Sequence, residues 1–154
     1  MAFRNRINIC IALILTLLLT VSCGHDGRDE LFVDFFSVSG TVFDKIQGSP
    51  IQDITVQMDA YSLDDTERKY PVLSYKCCTS AEGKYQFTVQ SEENLLDIYF
   101  VFNLFDESTF RNIKFASAEE RVLYLSTEKG SFFNPSMKSY EVTGNDFSLT
   151  PSGR

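Results

Sequence analysis

The chain has 154 residues, with 14 Lys and Arg against 21 Asp and Glu, one His, four Cys and no Trp. Its formal net charge of −7 gives a surface that repels phosphate backbones, which argues against a nucleic-acid partner. A single histidine, His25, leaves little for nucleophilic triads or for histidine-based zinc sites.

At the N-terminus, Arg4 and Arg6 precede an apolar run from Ile7 to Val21, and Ser22 stands before Cys23. A positive segment, an apolar segment and a small residue at the cut form the pattern of an export signal. Fifteen helical residues span about 22 Å, short of the roughly 30 Å hydrocarbon core, so a permanent span fits poorly. The tail Leu19-Thr20-Val21-Ser22-Cys23 resembles a bacterial lipobox, with Thr20 at the position three before the cysteine where Leu is usual. That resemblance implies lipidation of Cys23, by acyl chains such as palmitate, after removal of residues 1–22, and hence a membrane as partner. Several chains at about 0.8 kcal/mol per buried CH₂ would make such an anchor lasting. Ordinary cleavage nearby, with Cys23 a spare thiol, is the alternative.

Residues 23–35 read as the lipidated cysteine and an acidic tether. Gly24-His25-Asp26-Gly27-Arg28-Asp29-Glu30 is polar and glycine-bearing, and it resembles the acidic signal that sends some outer-membrane lipoproteins to the cell surface. His25 there reads as a solvated linker residue. The expected location is the bacterial outer membrane, facing the surface or the periplasm. Loss of residues 1–22 removes two Arg and no acids, leaving 12 basic against 21 acidic residues and a charge of −9.

From residue 36 to 150 the chain reads as strands, because alternation with period two recurs and no stretch keeps a helical period. Phe36, Val38, Gly40 and Val42 share one face of a first strand, and 47–50 make a turn. Ile54, Val56, Met58 and Ala60 mark the cleanest half-buried strand, followed by a charged loop at 62–70. A third strand is expected from about Val72 to Thr79, a hairpin turn at 81–84 with Gly83 at a positive φ, and a fourth strand carrying Tyr85, Phe87 and Val89. Leu95–Phe105 is apolar on both faces, as in a central strand covered on both sides; a ligand-facing aromatic surface is the sharper alternative. Residues 107–120 carry no clear pattern, apart from one possible helical turn at 117–120. Residues 121–126 and 139–150 read as late strands, and 151–154 as a tail. About seven strands with turns between them predict one all-β sandwich of transthyretin-like or immunoglobulin-like type.

Val38-Ser39-Gly40-Thr41-Val42-Phe43-Asp44, Pro50-Ile51-Gln52-Asp53-Ile54-Thr55-Val56 and Thr79-Ser80-Ala81-Glu82-Gly83-Lys84-Tyr85-Gln86-Phe87 resemble, in order and spacing, the carboxypeptidase regulatory-like domain. The likeness covers residues 37 to about 90. It implies a transthyretin-like sandwich serving as an accessory module without catalysis or cofactor. A narrower resemblance is to small single-domain lipoproteins encoded beside radical-SAM enzymes. Their acidic segment after the fifth strand is not reproduced at Asp106-Glu107-Ser108.

Chemistry is sparse. Cys10 leaves with the signal, and Cys77 and Cys78 are neighbours, so on a strand one faces inward and one outward. Cys77 is expected to be a small core residue, with a redox or lipidation role for the pair as the alternative. Asp64, Asp65 and Glu67 share one loop and Glu92 and Glu93 another. Neighbours on a loop do not hold two carboxyls across a cleft as glycoside hydrolysis needs, and calcium binding by the first group lacks an EF-hand loop. No catalytic, metal or cofactor residue is assigned. The function expected is non-enzymatic binding or scaffolding of a protein, peptide or glycan at the cell envelope, through edge strands or end loops. A fibre subunit exchanging the strand region from Ser131 to Leu149, and an envelope hydrolase using loop carboxylates, are the alternatives.

Overall fold

The computed structural model describes residues 32–92, 94–108, 114–116, 120–126 and 132–152. Cys23, His25, Glu93 and most of the expected helical turn at 117–120 lie outside them.

The described chain is all-β. Its strands are β1 (Phe35–Asp44), β2 (Thr55–Ser62), β3 (Leu73–Cys78), β4 (Lys84–Gln90), β5 (Ile98–Phe105), β6 (Lys114–Phe115), β7 (Arg121–Tyr124), β8 (Phe133–Asn134), β9 (Ser139–Val142), β10 (Phe147–Leu149) and β11 (Pro151–Ser152). In the first sheet β1 pairs antiparallel with β4 and parallel with β9 and then β10, and β8 pairs antiparallel with β9 beyond. The second sheet runs β3-β2-β5-β7, every pair antiparallel. β6 and β11 form a separate two-stranded pair.

The two sheets enclose the core through their alternating residues. Phe36, Val38 and Val42 of β1 and Tyr85, Phe87 and Val89 of β4 meet Val56, Met58 and Ala60 of β2 and Phe100, Phe102 and Leu104 of β5. Phe36 stacks on Phe100 with ring centroids 4.3 Å apart, so the sheets are joined by aromatic contact at one end of the core. Gly83 turns the β3–β4 hairpin at φ +69°; a Cβ there would meet the Val42 carbonyl oxygen at 2.5 Å.

Four details depart from the sequence reading. β5 begins at Ile98, because Asn94 caps a single 3-10 turn at Leu95–Asp97 by accepting the Leu96 N–H. The expected strand over 139–150 is two strands, interrupted at 143–146 where the chain steps along β1. Val33, placed by sequence in the tether, is fully buried and exchanges bonds with Asn94 Oδ1 and the Leu95 N–H. Pro151–Ser152, read as tail, pairs with β6.

Candidate functional site

Hydrogen-bond alternation fixes which backbone groups each edge strand leaves outward. Thr79 N–H donates to Ile54 O at 3.0 Å, continuing the β2–β3 register, so Leu73, Tyr75 and Cys77 turn their amides toward β2. Ser74, Lys76 and Cys78 therefore aim theirs away from it. On the other sheet Val42 N–H donates to Gly83 O at 2.8 Å, so Tyr85, Phe87 and Val89 face β1 while Gln86, Thr88 and Gln90 face outward. These outward rows belong to the two arms of one hairpin, and β3 and β4 do not pair with each other. The result is an open seam along one side of the sandwich.

At the hairpin end the two arms are joined where Ser80 N–H donates to Lys84 O at 2.9 Å, and a hollow lies toward each end of the seam. At the end away from the hairpin a cavity of about 540 Å³ is lined by Val72, Leu73, Leu95 and Ile98 and by the polar Gln90, Ser91, Glu92 and Asn94. A second, more open hollow of about 750 Å³ lies by the hairpin and includes Cys77, Cys78, Lys84, Gln86 and Asp146. The inward row of β3 is only half-buried, whereas that of β4 is buried, so β3 is the more weakly covered arm.

Cys77 and Cys78 stand in this seam as the alternation requires, one inward and one outward. Cys77 is half-buried against the core rather than enclosed by it, because the seam leaves β3 open on its outer side. Burial pushes its thiol up, and the Gln86 backbone amide facing it opposes that shift in part. Both cysteines are free thiols, and Cys78 is exposed.

The opposite side of β1 is closed by a web of bonds. Tyr85 Oη donates to Asn145 O at 2.5 Å and accepts from Asn145 Nδ2 at 2.9 Å, while Arg121 donates to Asn145 Oδ1 at 2.8 Å. The Arg121 guanidinium also lies 4.3 Å from the Phe147 ring centroid. Burial raises the Tyr85 phenol well above the ordinary range, and the bond from Asn145 offsets part of the rise. Sequence reading assigned Tyr85 to the core and gave no role to Asn145 or Arg121, which meet only through the fold.

The aromatic segment divides between two faces. Phe100, Phe102 and Leu104 face the core, and Tyr99 joins a row on the outer face with Tyr61 and Tyr124, at centroid distances of 5.7 and 5.4 Å. The charged loop folds over this row: Tyr99 Oη donates to Asp65 O at 3.1 Å, Arg68 lies over the Tyr99 ring, and Arg68 pairs with Glu120. Asp65 caps the Lys69 N–H at 3.1 Å, so its carboxylate is engaged in holding its own loop. Glu92 is exposed. Nearby Asp59 is buried and accepts from Gln57 Nε2 at 2.6 Å and Ser74 Oγ at 2.5 Å. Among the described residues no group of three His, Cys, Asp or Glu side chains converges as a metal site, and no helix is long and apolar enough to cross a membrane.

No family model matches the chain, and no curated protein matches it. Among solved structures it is similar to 3-chlorocatechol 1,2-dioxygenase from Rhodococcus opacus 1CP, with a TM-score of 0.49, 16% identity, and coverage of 81% of this chain and 63% of that one. It is also similar to the dioxygenase domain of a dioxygenase carbohydrate-binding protein fusion from Streptomyces sp. SirexAA-E, with a TM-score of 0.47, 16% identity, and coverage of 78% and 82%. A third likeness is to the group B streptococcus pilus 2b backbone protein, with a TM-score of 0.41, 11% identity, and coverage of 78% and 42%. At these values the resemblance is one of backbone course and carries no activity across. The molecule is thus, as a class, an all-β sandwich with one locked side and one open side.

Proposed function

We propose that this chain is an exported, non-enzymatic lipoprotein of the bacterial outer membrane. It is anchored through acylated Cys23 and presents its sandwich to bind an extended segment of a partner protein. The observation that supports binding is the seam, where two adjacent edge strands each direct a row of backbone donors and acceptors outward. An added strand would satisfy such rows by main-chain hydrogen bonds, with alternate side chains entering the cavity between its apolar wall at Leu73, Leu95 and Ile98 and its polar wall at Gln90 and Asn94. The anchor reading rests on the lipobox-like Leu19–Cys23 stretch.

A photo-reactive side chain at Lys76 or Thr88, in the full-length protein in its own cells, is expected to form adducts with a partner. One at Glu141, on β9 between two paired strands, is expected to form none. With the probe at Thr88, Lys76→Pro removes an N–H that faces the seam and none that faces β2, and should abolish the adducts. Equal adducts at Glu141, or adducts that survive Lys76→Pro, would overturn edge binding. Protease treatment of intact cells, comparing the wild type with variants at Asp26, Asp29 and Glu30, decides between surface and periplasm. Cleavage of the wild type with protection when the acids are replaced means surface display.

A further inference from the structure

The exposed large apolar residues are unevenly placed. β1 begins at one pole of the sandwich, and by register that pole also holds the end of β2, the start of β3, the end of β4 and the start of β5. The chain enters there: Asp34 N–H donates to Lys138 O, and Leu95 N–H donates to Val33 O. Leu63, Tyr70 and Val72 lie on the β2–β3 connection at this pole, 47%, 75% and 50% exposed, and Met137 lies on the β8–β9 turn beside it, 71% exposed. Phe35, Tyr124 and Phe132 stand within a rung or two of the same end. At the far pole the exposed large apolar residues, among the described residues, are Ile46 and Phe105.

We infer that the pole where the chain enters is a membrane-docking surface, whose Leu63, Tyr70, Val72 and Met137 side chains dip into the interfacial region of the bilayer that holds the Cys23 acyl chains. The inference rests on the anchoring proposed above, because the anchor brings this pole to the lipid. Eight residues lie between Cys23 and Phe32, and the nine steps of chain, even fully extended, reach only about 30 Å. The domain is therefore confined near the bilayer, with the tether attached at this pole. The exposed apolar side chains gathered at this pole have a partner there, and a tyrosine suits the boundary between headgroup and acyl chain.

Charge does not drive the contact. The same connection carries Asp64, Asp65 and Glu67 against Arg68 and Lys69, so it is slightly acidic and gains nothing from anionic lipid. Docking by apolar insertion should then occur on zwitterionic lipid and persist at high salt.

The absence of Trp makes a direct test available, since one introduced Trp reports only its own surroundings. Full-length acylated protein is reconstituted into phosphatidylcholine vesicles with and without lipids brominated in the acyl chain. Tyr70→Trp and Met137→Trp are expected to lose emission on the brominated vesicles, unchanged by salt. Ile46→Trp, at the far pole, is expected to keep its emission. Vesicle flotation separates the two readings. Protein that floats with both pole tryptophans unquenched overturns docking and leaves the anchor standing. Wild-type protein that fails to float, or Cys23→Ala protein that floats equally well, overturns the anchor and with it this inference.

Discussion

The two sides of the sandwich are built on opposite plans. Beyond β1, where β9 gives way to β10, Asn145 fills the step and ties together Tyr85, Arg121 and the β1 backbone. Asn145 N–H donates to Ser39 O, and Asp146 Oδ1 accepts from Thr41 N–H at 2.7 Å. Across the molecule, β3 and β4 do not pair with each other, the Gln86 amide meets the Cys77 thiol rather than a backbone carbonyl, and Leu73, Tyr75 and Cys77 are half-covered. The contrast teaches that an irregular chain path need not be a weak place. A buried polar group bonded through both its backbone and its side chain can close a gap that regular pairing leaves, whereas two regular strands can diverge and leave a gap open. Lys76 and the preceding Pro71 also blunt the open edge against indiscriminate pairing, a precaution that a partner-specific edge requires.

The sharpest way to break the comparison is Gly40→Ala on the locked side. The added Cβ would lie 2.2 Å from Asn145 O, so the 143–146 step must shift; the expected loss is about 3 kcal/mol, read by denaturant unfolding. Retention of full stability would mean that the step is not rigid. Next comes Tyr85→Phe, which leaves the Asn145 amide short of a partner and should cost about 1–2 kcal/mol. Tyr85 also carries a pH signature. Its folded pKa is raised above the ordinary 10.0, so its contribution is complete below pH 10.0 and is lost as pH rises from there through the folded value. Wild-type stability should fall more steeply than that of Tyr85→Phe across this alkaline range, and parallel curves would exclude the linkage.

On the open side, Cys77→Ala removes a sulfur that is only half-buried, and the expected loss is about 1 kcal/mol. A loss as large as that of Gly40→Ala would show that the seam is closed in solution. Smallest of all, Lys76→Gln should change stability by less than about 0.5 kcal/mol. Amide hydrogen exchange completes the comparison: the Ser74, Lys76 and Thr88 amides should exchange fast, and those of Ser39 and Asn145 slowly.

The sequence by itself determined a good deal. Alternation at Phe36–Val42, Ile54–Ala60 and Tyr85–Val89 specified strands and their inward faces, since a side-chain period of two depends on local backbone geometry alone. Gly83 specified the hairpin, and the doubly apolar stretch from Ile98 to Leu104 specified a central strand. The Cys77–Cys78 pair was legible as one inward and one outward residue. What stayed hidden depends on contacts between distant segments. Nothing local says that β9 and β10 run parallel to β1, that residue 145 meets residue 85, or that Arg121 reaches both Asn145 and Phe147. Nor does local pattern say that Asp65, read as part of a solvated loop, accepts from the Tyr99 hydroxyl through its backbone carbonyl. The openness of the β3–β4 seam, and the gathering of Leu63, Tyr70, Val72 and Met137 at the pole where the chain enters, are likewise properties of the assembled sheets. Residue type and period set which way a side chain points. Only the tertiary structure decides what lies opposite it, because strand order and register are settled by packing between segments far apart in the chain.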